Sequence, residues 1–303
     1  MRALERLSFQ IQLKSQYVSR TGDEFQQLFA DIMVRAYPED YQRICPWGSD
    51  GDRKNDGYLK SERKLFQCYA PHELRQRVAV KKIDADFVGA LPHWEEHFDE
   101  WVFVHNVLRG TPAFVAKKLL SLERIHAPLR LRPWGYDELS RRLLDLKRQD
   151  IVAVLGEPIT DEALSELEFE DLANVIRTVA ETSTRSEVPP RPVPADKLYE
   201  NGLSEDVEAF LRTGMRKADL VGRFFDRWYD PTLGQRTTEA FRKRYEELKA
   251  RRLSPDEIFY ELQMFAGGLR SLPPKPAAAV LAVLAHFFEA CDIFEKSARR
   301  VAA

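Results

Sequence analysis

Four prolines crowd the segment Ser183 to Pro194, Ser-Thr-Arg-Ser-Glu-Val-Pro-Pro-Arg-Pro-Val-Pro, and no helix can run through it. Proline lacks the backbone donor and its ring clashes with the preceding turn, so the stretch reads as a linker. A chain of 303 residues also exceeds the ~250 at which single cores stop growing, which suggests about two domains. The expected division is 1–150, then a helix with the proline-rich linker over 151–195, then 196–303.

The hydrophobic period differs on the two sides of that linker. Before it, Asp23 to Tyr37 places Phe25, Leu28, Phe29, Ile32, Met33 and Ala36 on one helical face, with Pro38 at its end. Tyr41 to Trp47, Asp56 to Leu59 and Lys64 to Tyr69 read as short strands. Val80 to Trp94 returns to a helical period, Trp101 to Val104 is an apolar run suited to a buried strand, and a helix at Pro112 to His126 precedes a strand at Leu129 to Pro133. Helix, three strands, helix, strand, helix, strand calls for an α/β domain, a mixed sheet flanked by helices.

After the linker no segment alternates at period two, and an all-α domain is expected. Ser204 offers an N-cap to a helix running to Phe225. Gln235 to Arg251 is a second helix. Ser254-Pro255-Asp256-Glu257 opens a third with cap, proline and acids, and Ala277 to Arg300 forms the last. In that last helix Phe287, Phe288, Ile293 and Phe294 alternate with Glu289, Asp292 and Glu295. They fit either a core helix whose acids pair nearby or a docking face of aromatic anchors with an acidic rim.

With 46 basic and 48 acidic residues the formal charge is -2, so nucleic-acid contact would depend on local patches. Cys45, Cys68 and Cys291 are odd in number and far apart, which argues against a disulfide framework or a structural zinc site and fits a reducing cytoplasm. The first residues lack an apolar signal core, and no apolar run reaches the ~20 residues that span a bilayer, so no membrane contact is expected. His93-x-x-x-His97 lacks the intervening glutamate of metalloproteases.

The chemistry concentrates between residues 48 and 69. Gly48-Ser49-Asp50-Gly51-Asp52-Arg53-Lys54-Asn55-Asp56-Gly57 is an acidic, glycine-rich turn that leads into one strand, and Gln67 stands on the next. Such a turn is common between strands, because these residues tolerate positive φ. It also brings oxygen ligands together. Hydrolysis of a phosphodiester needs a hard cation on the phosphoryl oxygens, and Mg²⁺ (or Mn²⁺) held by Asp56 and Gln67 from adjacent strands would supply it. Asp50 and Asp52 could add to the ligand set.

Over residues 20 to 135 the order of elements resembles the restriction-endonuclease-like superfamily, whose motif is a distant Glu, an Asp, and then Glu or Gln-x-Lys. The resemblance implies a Mg²⁺-dependent DNA endonuclease in which Glu24, Asp56 and Gln67 hold the metal while a lysine orients or activates the attacking water. Two residues past Gln67, however, stands Tyr69, which carries no cation at neutral pH. The lysine is then supplied by Lys82 or Lys81 on the following helix, with Lys54 and Lys64 as weaker candidates. Lys81 and Lys82 equally suit a solvated helix edge, and Glu24 an exposed helix face.

Lys197-Leu198-Tyr199-Glu200-Asn201-Gly202-Leu203-Ser204, Asp256-Glu257-Ile258-Phe259 and the run His286 to Glu295 resemble the C-terminal domain of bacterial ABC-three component systems, and in the first half Asn55-Asp56-Gly57-Tyr58 with Phe66-Gln67-Cys68-Tyr69-Ala70-Pro71 looks typical of chains in such systems. That resemblance implies an effector in conflict with phage or other invading DNA, controlled by an ABC-type, SMC-like ATPase and a middle component. An oligomer is among the states it allows. An alternative is a nuclease fold that has lost catalysis through Tyr69 and senses nucleic acid or scaffolds the ATPase.

Overall fold

Apolar residues at helical spacing in Gly22–Ala36 (α2) bury Phe25, Leu28, Phe29, Ala30, Ile32 and Met33 against a sheet. The computed structural model describes residues 1–45, 53–182, 201–268, 272–289 and 293–294. The chain divides into two compact units, one of residues 16–154 and one of residues 1–15 with 155–303.

The first unit is α/β. Its sheet contains β1 (Tyr41–Arg43), β2 (Gly57–Leu59), β3 (Lys64–Tyr69), β4 (Glu100–His105) and β5 (Arg130–Trp134), lying side by side in chain order. β1 to β3 are antiparallel neighbours, while β4 and β5 continue in parallel from β3, so the sheet is mixed. Parallel strands need crossovers, and these are α3 (Gln76–Trp94) and α4 (Ala113–Ile125).

Alternation along β3 sends neighbouring side chains to opposite faces. Leu65 joins Ile83, Phe87, Trp101, Phe103, Val115 and Leu119 beneath α3 and α4. Phe66 meets Phe29 at 5.3 Å and Trp134 at 4.9 Å between ring centroids, on the face covered by α2 and α5 (Tyr136–Leu144). β4 is buried on both faces, as its unbroken apolar run requires.

The second unit is helical. Among its described residues are the start of α1 (Ala3–Ser19), the end of α6 (Arg148–Leu155), α7 (Asp161–Ser165), α8 (Phe169–Glu181), α9 (Glu205–Met215), α10 (Ala218–Arg227), α11 (Leu233–Ala250), α12 (Pro255–Phe265) and α13 (Pro274–Glu289). In α13 every residue from Ala277 to Ala285 is buried. A helix apolar all round belongs inside, and α7, α8, α9, α10 and α12 surround it. α9 approaches closely because Gly214 faces the Leu281 carbonyl, where a Cβ would sit 2.8 Å away. At α12 the expected cap forms: Ser254 Oγ accepts from the Glu257 N–H while the Glu257 carboxylate accepts from the Ser254 N–H at 2.7 Å.

Several elements differ from expectation. The helix expected from Ser204 to Phe225 is two, α9 and α10, separated at Arg216 and Lys217. β1 stops at Arg43. The linker, Asp50, Asp52 and Cys291 lie outside the described residues. Among those described, no helix is long and apolar enough to cross a membrane.

At the end of β4 His105 is almost wholly buried. Its Nδ1 accepts from the Val107 N–H at 3.2 Å and its Nε2 meets Thr111 Oγ1 at 3.1 Å. Burial pushes its pKa down to about 4, against a smaller upward pull from Glu138. An unfolded histidine titrates near ~6.5, so between these values the unfolded chain binds more protons and stability falls as pH is lowered. Urea unfolding of the wild type should lose up to about 3 kcal/mol between pH 6.5 and 4 from this group, and His105→Gln should flatten that part of the profile. Equal slopes in the two proteins would contradict the buried neutral imidazole.

Candidate functional site

Antiparallel pairing of β2 with β3 ends at Gly57 and Phe66, and Asp56 lies immediately beyond, its N–H donating to the Phe66 carbonyl at 2.8 Å. Its side chain is turned inward, with 4 % of the residue exposed. Among the described residues, Cys68, Gln67 and Gln26 send donors to the carboxylate. Oδ2 accepts from the Cys68 N–H at 2.6 Å and from Gln67 Nε2 at 3.1 Å, and Oδ1 accepts from Gln26 Nε2 at 2.7 Å. A buried carboxylate needs this kind of satisfaction. The aspartate thus takes the place of the missing ladder partner at Cys68.

Asp56 and Gln67 are therefore side by side. Because Nε2 of Gln67 faces Asp56 and lies 3.4 Å from the Cys68 carbonyl, its Oε1 is left buried with no hydrogen-bond partner among the described residues. A buried acceptor of that kind calls for an ion or a water. Among the described residues no three His, Cys, Asp or Glu side chains group to hold a metal. Mg²⁺ nonetheless prefers oxygen and keeps several waters, so one carboxylate and one amide oxygen fit it. The neighbouring Cys68 thiol is pushed well above its ordinary pKa by burial and then by Asp56, which leaves it protonated and a poor nucleophile.

The remaining expected site residues are placed differently from one another. Glu24 is exposed in the first turn of α2, and the α2 side chain that reaches Asp56 is Gln26, two residues on and roughly 200° around the helix. Lys81 is exposed on α3. Lys82 Nζ lies 2.9 Å and 2.8 Å from the two oxygens of Asp86. Lys54 Nζ approaches Asp86 Oδ1 at 3.9 Å, and Lys64 pairs with Glu62 and Glu100. Tyr69 sets its ring 5.9 Å from that of Phe103.

Gln26 and Asp86 were not singled out from the sequence. Gln26 is an uncharged residue on an amphipathic helix and carries no pattern of its own. Asp86 did leave a signal, since it lies on the same α3 stripe as Ile83 and Phe87, where the period calls for an apolar side chain.

Two other candidates resolve as structure. His93 Nδ1 meets an Arg53 guanidinium nitrogen at 3.2 Å, while the His97 carbonyl accepts from the Tyr58 hydroxyl at 2.5 Å. Phe287, Phe288, Ile293 and Phe294 are all buried, with Phe294 against Tyr245 and Phe287 against Phe241. Of the two readings offered for this run, their burial favours the core helix over the docking face, because aromatic anchors must be exposed to receive a partner.

Residues 169–295 match the family model for C-terminal domain 10 of the ABC-three component (ABC-3C) systems. The match supports membership in such a system and, with it, partner components and a role in biological conflict. No curated protein matches the chain, and no solved structure does.

The placement of Gln26 and Glu24 can be separated by stability. Gln26→Ala removes a hydrogen bond to a buried carboxylate and should cost about 1–3 kcal/mol in urea unfolding. Glu24→Ala, at an exposed position, should stay within about 0.5 kcal/mol. The reverse order would move the carboxylate's support to Glu24's side of α2.

Proposed function

We propose that this chain is the effector of an ABC-three component system and a Mg²⁺-dependent endonuclease that cuts the phosphodiester backbone of DNA. The observation that carries the reading is the side-by-side placement of Asp56 and Gln67 at the end of β2 and β3, where Gln67 Nε2 donates to the carboxylate and Gln67 Oε1 is buried with no hydrogen-bond partner among the described residues. Helix, three strands, helix, strand in the order α2, β1 to β3, α3, β4 supports a restriction-endonuclease-like fold for the first unit. The family match over the helical half supports control by an ABC-type, SMC-like ATPase and a middle component in the cytoplasm.

In this mechanism Asp56 and Gln67 are the residues that hold the cation, with Glu24 a remoter acid. The bound ion supplies positive charge to the phosphoryl oxygens as negative charge develops there. Gln26 and the Cys68 N–H fix the Asp56 carboxylate beforehand, so little reorganisation is needed. Cations come from α3, where Lys82 is the half-buried one and Lys81 the exposed one. Lys82 stands in for the lysine whose usual place Tyr69 occupies.

A second reading, a nuclease fold without catalysis that senses nucleic acid or scaffolds the ATPase, is favoured by the Tyr69 ring lying against Phe103 and by the three donors already on Asp56. The two readings part in a plasmid-nicking assay with Mg²⁺ or Mn²⁺, run on the chain alone and with its companion components. Cleavage is expected, and Asp56→Asn should reduce it by at least about 100-fold while leaving companion binding intact. Intact plasmid in every combination, or a fully active Asp56→Asn protein, would favour the second reading.

A further inference from the structure

The α3 residues that face the core are Ala79, Ile83, Asp86, Phe87 and Ala90, one stripe of a helix. Asp86 is the charged member, and its relative exposure is 0%. Carrying a carboxylate out of water is unfavourable unless it is paired, and a lysine placed four residues before its acid is the less effective order for helix stability. Local stability does not account for an aspartate at this position.

What Asp86 does is hold cations. Lys82 Nζ sits within 2.9 Å of Oδ1 and 2.8 Å of Oδ2, and Lys54 Nζ stands 3.9 Å from Oδ1. Lys54 comes from the segment before β2 and crosses α3 at Gly89, where an added Cβ would lie 2.9 Å from Lys54 Cγ. Arg53 and Lys54 both adopt positive φ, 49° and 65°. Side chains with a Cβ resist that conformation, and it persists where surrounding contacts impose it. Lys54 is two residues from Asp56, a chain span of at most ~7 Å. One buried carboxylate thus gathers two ammonium groups next to the segment that carries the candidate metal ligand.

We propose that Asp86 is a positioning residue, which holds the Lys82 ammonium, with that of Lys54 beside it, at the place where the scissile phosphate meets Asp56. The inference rests on the endonuclease reading above and names how its missing lysine is supplied.

The test is a double-mutant cycle on the full chain, with Mg²⁺ and, where the chain alone is silent, its companion components. Single-turnover cleavage of a duplex is measured for Lys82→Ala, Asp86→Asn and the pair, alongside duplex affinity and melting temperature. Each single change should slow cleavage by roughly 100-fold with affinity within about twofold, and the double variant should be no slower than Lys82→Ala. Asp86→Glu should recover at least about a tenth of the rate, which a purely structural role would not require. Losses that multiply, or a wild-type rate in Asp86→Asn, overturn the positioning role. If Asp86→Asn does not fold, Lys54→Met decides: a loss of about tenfold supports the role and an unchanged rate overturns it. A wild type that cuts no DNA under any condition instead removes the endonuclease reading itself, so the two failures are distinct.

Discussion

A carboxylate enclosed by protein must find donors, and the α/β unit is arranged to bring Gln26, Gln67 and the Cys68 N–H to Asp56. Pairing of β2 with β3 stops at Gly57, which leaves the Cys68 N–H without a strand partner and allows the Asp56 side chain to take it. Gln67 comes from β3 and Gln26 from α2, so strand register and helix placement must both be correct for the cluster to form. A slip of one residue in β3 would send Gln67 to the other face of the sheet.

The rest of the unit secures that register. Leu65 and Phe66 anchor successive positions of β3 into the two apolar layers, and β4 is closed on both faces. Strands pinned in this way cannot slide without exposing several aromatic side chains. α3 then carries a second buried carboxylate, Asp86, on the stripe that faces the core. Two enclosed acids in one small unit, one met by neutral donors and the other by lysines, form a polarised environment.

The coarse architecture was legible in the sequence because its signals were strong and local. Period-two and apolar runs marked β3 and β4, the proline, serine and glutamate at the head of α12 marked a cap, and the α/β-then-α division followed from the change of period. α1 was missed for a physical reason. It buries Phe9, Ile11 and Leu13 together with Ser8 and Gln12, whose polar groups are met by the Ile159 N–H and the Glu157 carbonyl. A helix with polar residues in its core contacts does not present a clean stripe. The break between α9 and α10 was equally hidden, since neither Arg216 nor Lys217 is a helix breaker.

In the candidate site the pair Asp56 and Gln67 could be named from strand spacing, because cross-strand neighbours are fixed by a short turn. Gln26 could not, since its role depends on how α2 is laid across the sheet. Lys82 was named, but its carboxylate partner four residues later was not, although an aspartate on an apolar stripe was there to be noticed.

The proposed cleavage requires oxygen atoms of Asp56 and Gln67 to share a divalent ion, and a crystal structure grown with Mn²⁺ tests that directly. An anomalous peak within ~2.3 Å of the Asp56 carboxylate and of Gln67 Oε1 is the expected result. Crystals saturated with Mn²⁺ that show no peak there, with Gln67 still donating its N–H to Asp56, would contradict it.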